Sequence, residues 1–273
     1  MSTPPRALFA GLVDDAAMFP PGNASAEVAL AEHLRYREDW FADLVGPLLV
    51  PARAWEGFAS AHDSAGAPDV AVVVIGTTTL PPRMPASVTV VGFEAAVADA
   101  PLPDVPPGMS LAAEVSPGPA AERVLAAVAQ QAAAGRDVVA KFRTGGTTVD
   151  AFPSEAVLAG VICSATAVHA PLKLTAGLHH AVRFTDPTTG FEHHGFLNVI
   201  VAVTRAIAGA DTRTVVEVLT LRESAPLVAE VRDLAREQAT EMRRRFVSFG
   251  CCGVEDPIGD LVGLGLVNPE EPR

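Results

Sequence analysis

The sequence has almost no lysine. Of its 20 basic residues only Lys141 and Lys173 are lysine, and the rest are arginine. Surface charge, helix ends and salt bridges all accept arginine. A position that keeps lysine points to a need for a compact amine that can lose its proton or form an imine. Aromatic residues are also scarce, at 5% with one Tyr and two Trp, so there is no aromatic ladder on which bases could stack. With a formal charge of −12, the surface repels phosphate backbones, and nucleic acid is excluded as a partner. There are three cysteines, Cys163, Cys251 and Cys252. An odd number with an adjacent pair argues against a disulfide framework and for a reducing cytoplasm. Met1–Arg6 lacks the charged-then-apolar pattern of a secretion signal. No apolar run reaches the ~20 residues that span a bilayer, so no membrane partner is expected. No glycine fingerprint of the Rossmann or P-loop type occurs, which leaves NAD or ATP dependence without support.

What remains is an apolar chain, 49% hydrophobic over 273 residues and rich in Ala, Val and Leu. That mixture suits buried parallel strands surrounded by helices. Strands are expected at Leu8–Asp14, Leu48–Pro51, Val70–Ile75, Val88–Phe93, Ser110–Val115, Val138–Arg143, Leu172–Ala176 and Phe246–Gly250. Helices are expected over Ala26–Tyr36 behind a Ser25 cap, near Trp55–Ala61, and over Ala120–Ala134. Further ones are expected over Ser154–Val168, Asn198–Ala208, a region from about Pro226 to Arg245, and Pro257–Leu264. Pro101–Gly108 reads as a loop. Eight apolar strands alternating with helices predict an α/β fold, a single-domain (β/α)8 TIM-type barrel of ordinary length. A doubly wound open sheet is the alternative, because the connections around strands three to five are short.

In such a barrel the active site lies at the carboxyl ends of the strands. Alternation puts Lys141 with Arg143 on one face of strand six and Lys173 with Thr175 on one face of strand seven. If those faces look inward, two ammonium groups enter one cavity, where Glu114 and Asp14 can join them. Ser248 on the last strand adds a polar lining. Crowding two cations and desolvating them lowers the pKa of one, turning a lysine into a nucleophile or base near neutral pH. The competing reading is a buried Lys–Glu pair or a lysine snorkelling to the rim.

Histidine is the second cluster. His179–His180 and His193–His194 bracket a His-rich insertion, residues 178–196, that contains Arg183 and is expected to overhang the mouth. Asn198 follows as a cap or pocket residue. Neither pair has metalloprotease spacing. One His from each pair with Asp14 or Glu114 could still bind a divalent metal such as Zn or Fe. A polar, metal-free loop and a single general acid or base are the other readings. Arg143 and Arg183 suit a substrate carboxylate or phosphate, and His179, His180 and His194 are expected to bind and orient the substrate with them. Cys251–Cys252 has no evident base beside it in sequence and reads as inert packing.

Val139–Gly145 (VAKFRTG) and Leu172–Gly177 (LKLTAG) resemble the strand-six and strand-seven lysine motifs of the deoxyribose-phosphate aldolase family of class I aldolases. The Lys141–Lys173 and Glu114–Lys141 separations are close to the family's. Leu12–Asp15 (LVDD) faintly echoes its first-strand motif. Phe249–Gly253 (FGCCG) sits where the family has a phosphate-binding turn. The resemblance covers strands five to eight and the first half only loosely. It implies a (β/α)8 barrel, with Lys141 as Schiff-base lysine and Lys173 as the neighbour that lowers its pKa. Two departures stand out. The family has a strand-four aspartate for proton transfer, whereas Thr89–Phe93 has none and Glu94 at its end is the nearest candidate. Arg143 replaces a small polar residue.

The sequence thus leads to a Schiff-base lyase without cofactor, acting on a small, anionic carbonyl compound, with homo-oligomerisation compatible. A metal-dependent barrel enzyme with ligands among Asp14, Glu114, His179, His180, His193 and His194 is the alternative. A non-catalytic barrel that binds an anionic metabolite is the third reading.

Overall fold

The structure, a computed structural model, describes residues 6–270. Eight parallel strands close into a TIM-type barrel: β1 (Val13–Asp15), β2 (Val45–Pro51), β3 (Val70–Ile75), β4 (Val88–Ala96), β5 (Ser110–Glu114), β6 (Val138–Arg143), β7 (Leu172–Thr175) and, last in the chain, β10 (Phe246–Cys251). Around the barrel the order is β1-β10-β7-β6-β5-β4-β3-β2. The two intervening strands, β8 (Phe184–Thr185) and β9 (Glu192–His193), form a small antiparallel hairpin within the histidine insertion.

The helices are α1 (Ala26–Glu38), α2 (Trp55–Ser64), α3 (Pro119–Ala133), α4 (Glu155–Ala167), α5 (Phe196–Ile207), α6 (Thr212–Thr220), α7 (Ser224–Asp233), α8 (Arg236–Arg245) and α9 (Glu255–Gly263). Ser25 and Ser154 cap α1 and α4 by accepting from the amides of Val28 and Val157, each satisfying an amide the first turn leaves unpaired. No helix follows β3 or β4, among the described residues. The expected first strand is shorter than its apolar run, because Arg6–Leu8 is a 3-10 turn and pairing starts at Val13. The region from 226 to 245 divides into α7 and α8, and α6 was not anticipated. Its Val215, Val218 and Leu219 are buried against the body of the protein. Residues 149–167 are long and apolar enough by composition to cross a bilayer, contrary to the expectation that no such run exists. Only the 13 residues of α4 are α-helical there. They span about 20 Å, shorter than the ~30 Å of a bilayer core.

Outward-facing side chains such as Val72, Val74, Phe142 and Leu174 are fully buried under the helices. Inward-facing ones divide the lumen. Ala16, Leu49 and Val73 form an apolar cluster on the β1–β3 side, while charged groups fill the side from β4 to β1. Two irregularities create this division. In β4 the register slips between Val72–Val90 and Val73–Gly92, so Val91 is an extra residue. Before the slip Val88 and Val90 face outward, and after it Phe93 does. The bulge therefore turns Glu94 into the lumen, where strict alternation from Val90 would turn it out. A second slip separates β1 from β2 between Val13 and Asp15. There Gly46 leaves room for Asp14, since a Cβ at 46 would lie 1.9 Å from Asp14 Oδ1.

Candidate active site

Lys141 and Lys173 sit at the same level on adjacent strands, paired directly in register, and Glu114 pairs in register with Lys141. Glu94 lies between the two amines. Lys141 Nζ donates to Glu94 Oε2 at 2.5 Å, and Lys173 Nζ stands 2.5 Å from Glu94 Oε1 as a close ion pair outside hydrogen-bond alignment. Lys141 also meets Glu114 Oε2 at 2.7 Å. Lys173 donates to Asp14 Oδ2, which also accepts from Ser248 Oγ at 2.8 Å. Arg143 Nε closes the chain by donating to Glu114 Oε1 at 2.8 Å. Three cations and three carboxylates balance. All but Glu114 and Arg143 are buried.

The electrostatics differ from the expectation of two cations lowering one another. Although burial opposes its charge, Lys173 is held above the ordinary lysine range because Asp14 and Glu94 outweigh that burial. Burial alone would raise Glu94; the two lysines overcome it and hold the carboxyl down at about 2. Glu114 is likewise held low against its burial by Lys141 and Arg143. Asp14 is raised, burial winning over Lys173 and Ser248. A carboxylate interposed between the amines thus cancels the repulsion that the sequence suggested. Glu94 is the residue that the sequence undervalued, and the β4 bulge is the reason.

Two cavities meet this layer from opposite sides. At the carboxyl end a mouth of about 380 Å³ is lined by Lys141, Arg143, Thr175, His179, Arg53 and Cys252, among others. From the amino end a cavity of about 310 Å³ reaches Lys173, Asp14, Glu94 and Ser248. Lys141 opens to the mouth, and Lys173 to the opposite side. Arg143 and Thr175 are where the sequence put them; Ser248 is not at the mouth but beneath it, orienting Asp14.

The histidines do not converge. His180 Nδ1 lies 3.3 Å from Asp260 Oδ2, beside a separate surface cavity. His193 Nδ1 bonds the Gly177 carbonyl at 3.1 Å, with its ring against Phe152 and Phe184. His194 is buried, with Nε2 on the Pro153 carbonyl at 2.8 Å, and burial lowers the pKa of both. Arg183 is taken up by Glu155 at 2.5 Å and Glu192 at 2.8 Å. Asn198 is fully buried: its side-chain oxygen accepts from the Arg183 amide and its nitrogen donates to the carbonyls of Val218 and Leu221. These residues therefore pin the hairpin to the barrel rather than line the pocket, because each finds a local partner. Among the described residues no three His, Cys, Asp or Glu side chains are grouped as metal ligands. Only His179 of the insertion reaches the mouth. There it meets Cys252, Cys251 and Asp256, so the base that Cys252 lacks in sequence is supplied by the loop after β7.

Compared with models of protein families, with curated proteins and with solved structures, the chain matches none. The aldolase resemblance therefore rests on the sequence motifs alone.

Proposed function

We propose that the protein is a Schiff-base enzyme, a lyase of aldolase type, acting on a small anionic carbonyl compound with Lys141 as nucleophile. The observation that carries this reading is that Lys141 is the one lysine lining the mouth, with two carboxylates in reach of its ammonium. An incoming carbonyl displaces the proton of Lys141 to Glu114, the more open of the two acids, and the amine adds to the carbonyl carbon. The oxygen leaves as water with the returned proton, and the iminium then draws electrons from the adjacent carbon–carbon or carbon–hydrogen bond. Glu94 stays ionised between the lysines and steadies the new cation. Lys173, kept charged by Asp14 and Glu94, is a positioning residue rather than a second nucleophile. Arg143 and Arg53 suit a carboxylate or phosphate on the substrate.

Retention of buried charge supports the same reading. A buried ionic cluster is usually no more stable than apolar side chains of similar volume, and perturbed groups in a cleft tend to mark functional sites. The proposed setting is a reducing cytoplasm, in keeping with three free thiols. The test is intact-protein mass after borohydride treatment with a panel of small aldehydes and keto acids. A covalent adduct in the wild type that disappears in Lys141→Ala is expected. No adduct from any compound, with both proteins folded, would overturn the imine mechanism.

A further inference from the structure

The mouth contains a second reactive group on the wall formed by β10 and α9. Cys252 Sγ lies 3.6 Å from His179 Nε2, and the other ring nitrogen, Nδ1, lies 3.3 Å from Asp256 Oδ2. The order thiol, imidazole, carboxylate is that of a nucleophile with a base whose tautomer is fixed by an acid. Cys252 and His179 both line the cavity into which Lys141 opens. Cys251 addresses Nδ1, the opposite side of the ring, and its thiol donates to the Gly253 carbonyl at 3.3 Å. The two sulfurs therefore do not share a ligand position, and only Cys252 faces the cavity.

We propose that Cys252, His179 and Asp256 form a second covalent site, in which the Cys252 thiol adds to a small electrophilic carbon compound carrying an anionic group. The amides of Gly22 and of Cys252 itself favour its anion, against burial, which pushes the thiol up. The group therefore rests as a thiol and is deprotonated by His179 during attack. Gly22 permits the approach, since a Cβ there would stand 3.1 Å from Cys252 Cβ and 2.9 Å from the Ala17 carbonyl oxygen. Arg53 and Arg143, on the same cavity, supply the attraction for the anion. With an α,β-unsaturated acid or aldehyde, the sulfur–carbon bond forms at the β-carbon as the S–H proton passes to His179 Nε2. The π pair of the double bond moves to the α-carbon, which takes that proton back. No oxidant or further reactant is needed.

Timed alkylation with iodoacetate and iodoacetamide, resolved by peptide mass mapping, tests this in the full chain. Here the sulfur displaces iodide and the thiol proton goes to His179. Half-buried Cys163 on α4 is an internal reference. Cys252 is expected to react at least tenfold faster than Cys163, with a several-fold greater preference for iodoacetate over iodoacetamide. His179→Gln should slow Cys252 about tenfold and leave Cys163 unchanged. Asp256→Asn, at a half-exposed position, should slow it about threefold and serves if the histidine variant does not fold. Lys141→Ala should retain the iodoacetamide reactivity of Cys252, so this site stands or falls apart from the imine mechanism. Equal rates at Cys252 and Cys163, or a Cys252 rate untouched in folded His179→Gln, would overturn the proposal.

Discussion

The two halves of the barrel lumen solve the same packing problem in opposite ways. On the β1–β3 side, Leu49, Val73 and Ala16 fill the space with hydrocarbon. On the other side Lys141, Lys173, Asp14 and Glu94 occupy comparable positions as a buried, balanced cluster. The apolar half shows that this lumen can be filled without charge. The ionic half is therefore not a requirement of the fold. It places a desolvated amine beside a cavity open to solvent, with two carboxylates within reach of its ammonium.

The ionic half is most sensitive at Glu94. Glu94→Gln leaves two buried ammonium groups with too little counter-charge. It should cost about 3–5 kcal/mol, a fall in Tm of roughly 10 °C on thermal unfolding, and the trapped adduct should decline with it. A loss no greater than that of a surface substitution would mean that the cluster is not coupled. In the apolar half, Leu49→Ala should cost about 2–5 kcal/mol by leaving a cavity. Because Leu49 also lines the mouth, the protein that remains folded should still form the adduct at Lys141 but with weaker selection among carbonyl compounds. Loss of stability and adduct together at Leu49 would erase the distinction between the halves.

Acid sharpens the contrast further. Glu94 is depressed from 4.5 to about 2, so the stability it contributes is present above pH 4.5 and is lost as pH falls towards 2. This amounts to about 3 kcal/mol. Lys173 is raised above 10.5, so its share is present below that pH and is lost as pH rises through its folded value. Asp14, raised by burial, acts in the opposite sense over its own titration and trims the gain from Glu94. Urea midpoints between pH 5 and pH 2.5 should decline steeply in the wild type and weakly in Glu94→Gln. The smallest effects belong to the rim. Arg143→Ala should change stability by less than about 1 kcal/mol, yet weaken binding of anionic carbonyl compounds about tenfold in adduct titrations.

Much of this arrangement was legible in the sequence because parallel strands are apolar on both faces and simple alternation holds in β6 and β7. Lys141, Arg143, Lys173 and Thr175 follow that alternation, and the two scarce lysines stand in register on adjacent strands. Glu94 was obscured because one extra residue at Val91 reverses the facing of everything after it, and bulges leave no composition signal. The histidines misled for another reason. Local sequence density says nothing of the partners a hairpin will find, and Asp260, Gly177 and Pro153 claim three of the four. His179 and Cys252 are 73 positions apart, and only barrel closure brings them together.

The central question is which lysine meets the substrate. Peptide mapping of the borohydride-trapped wild-type adduct decides it directly. The label is predicted on the peptide containing Lys141, with Lys173 unmodified behind Glu94. A label on Lys173, or one shared equally between the two, would contradict the assignment of Lys141 to the mouth and Lys173 to the opposite side.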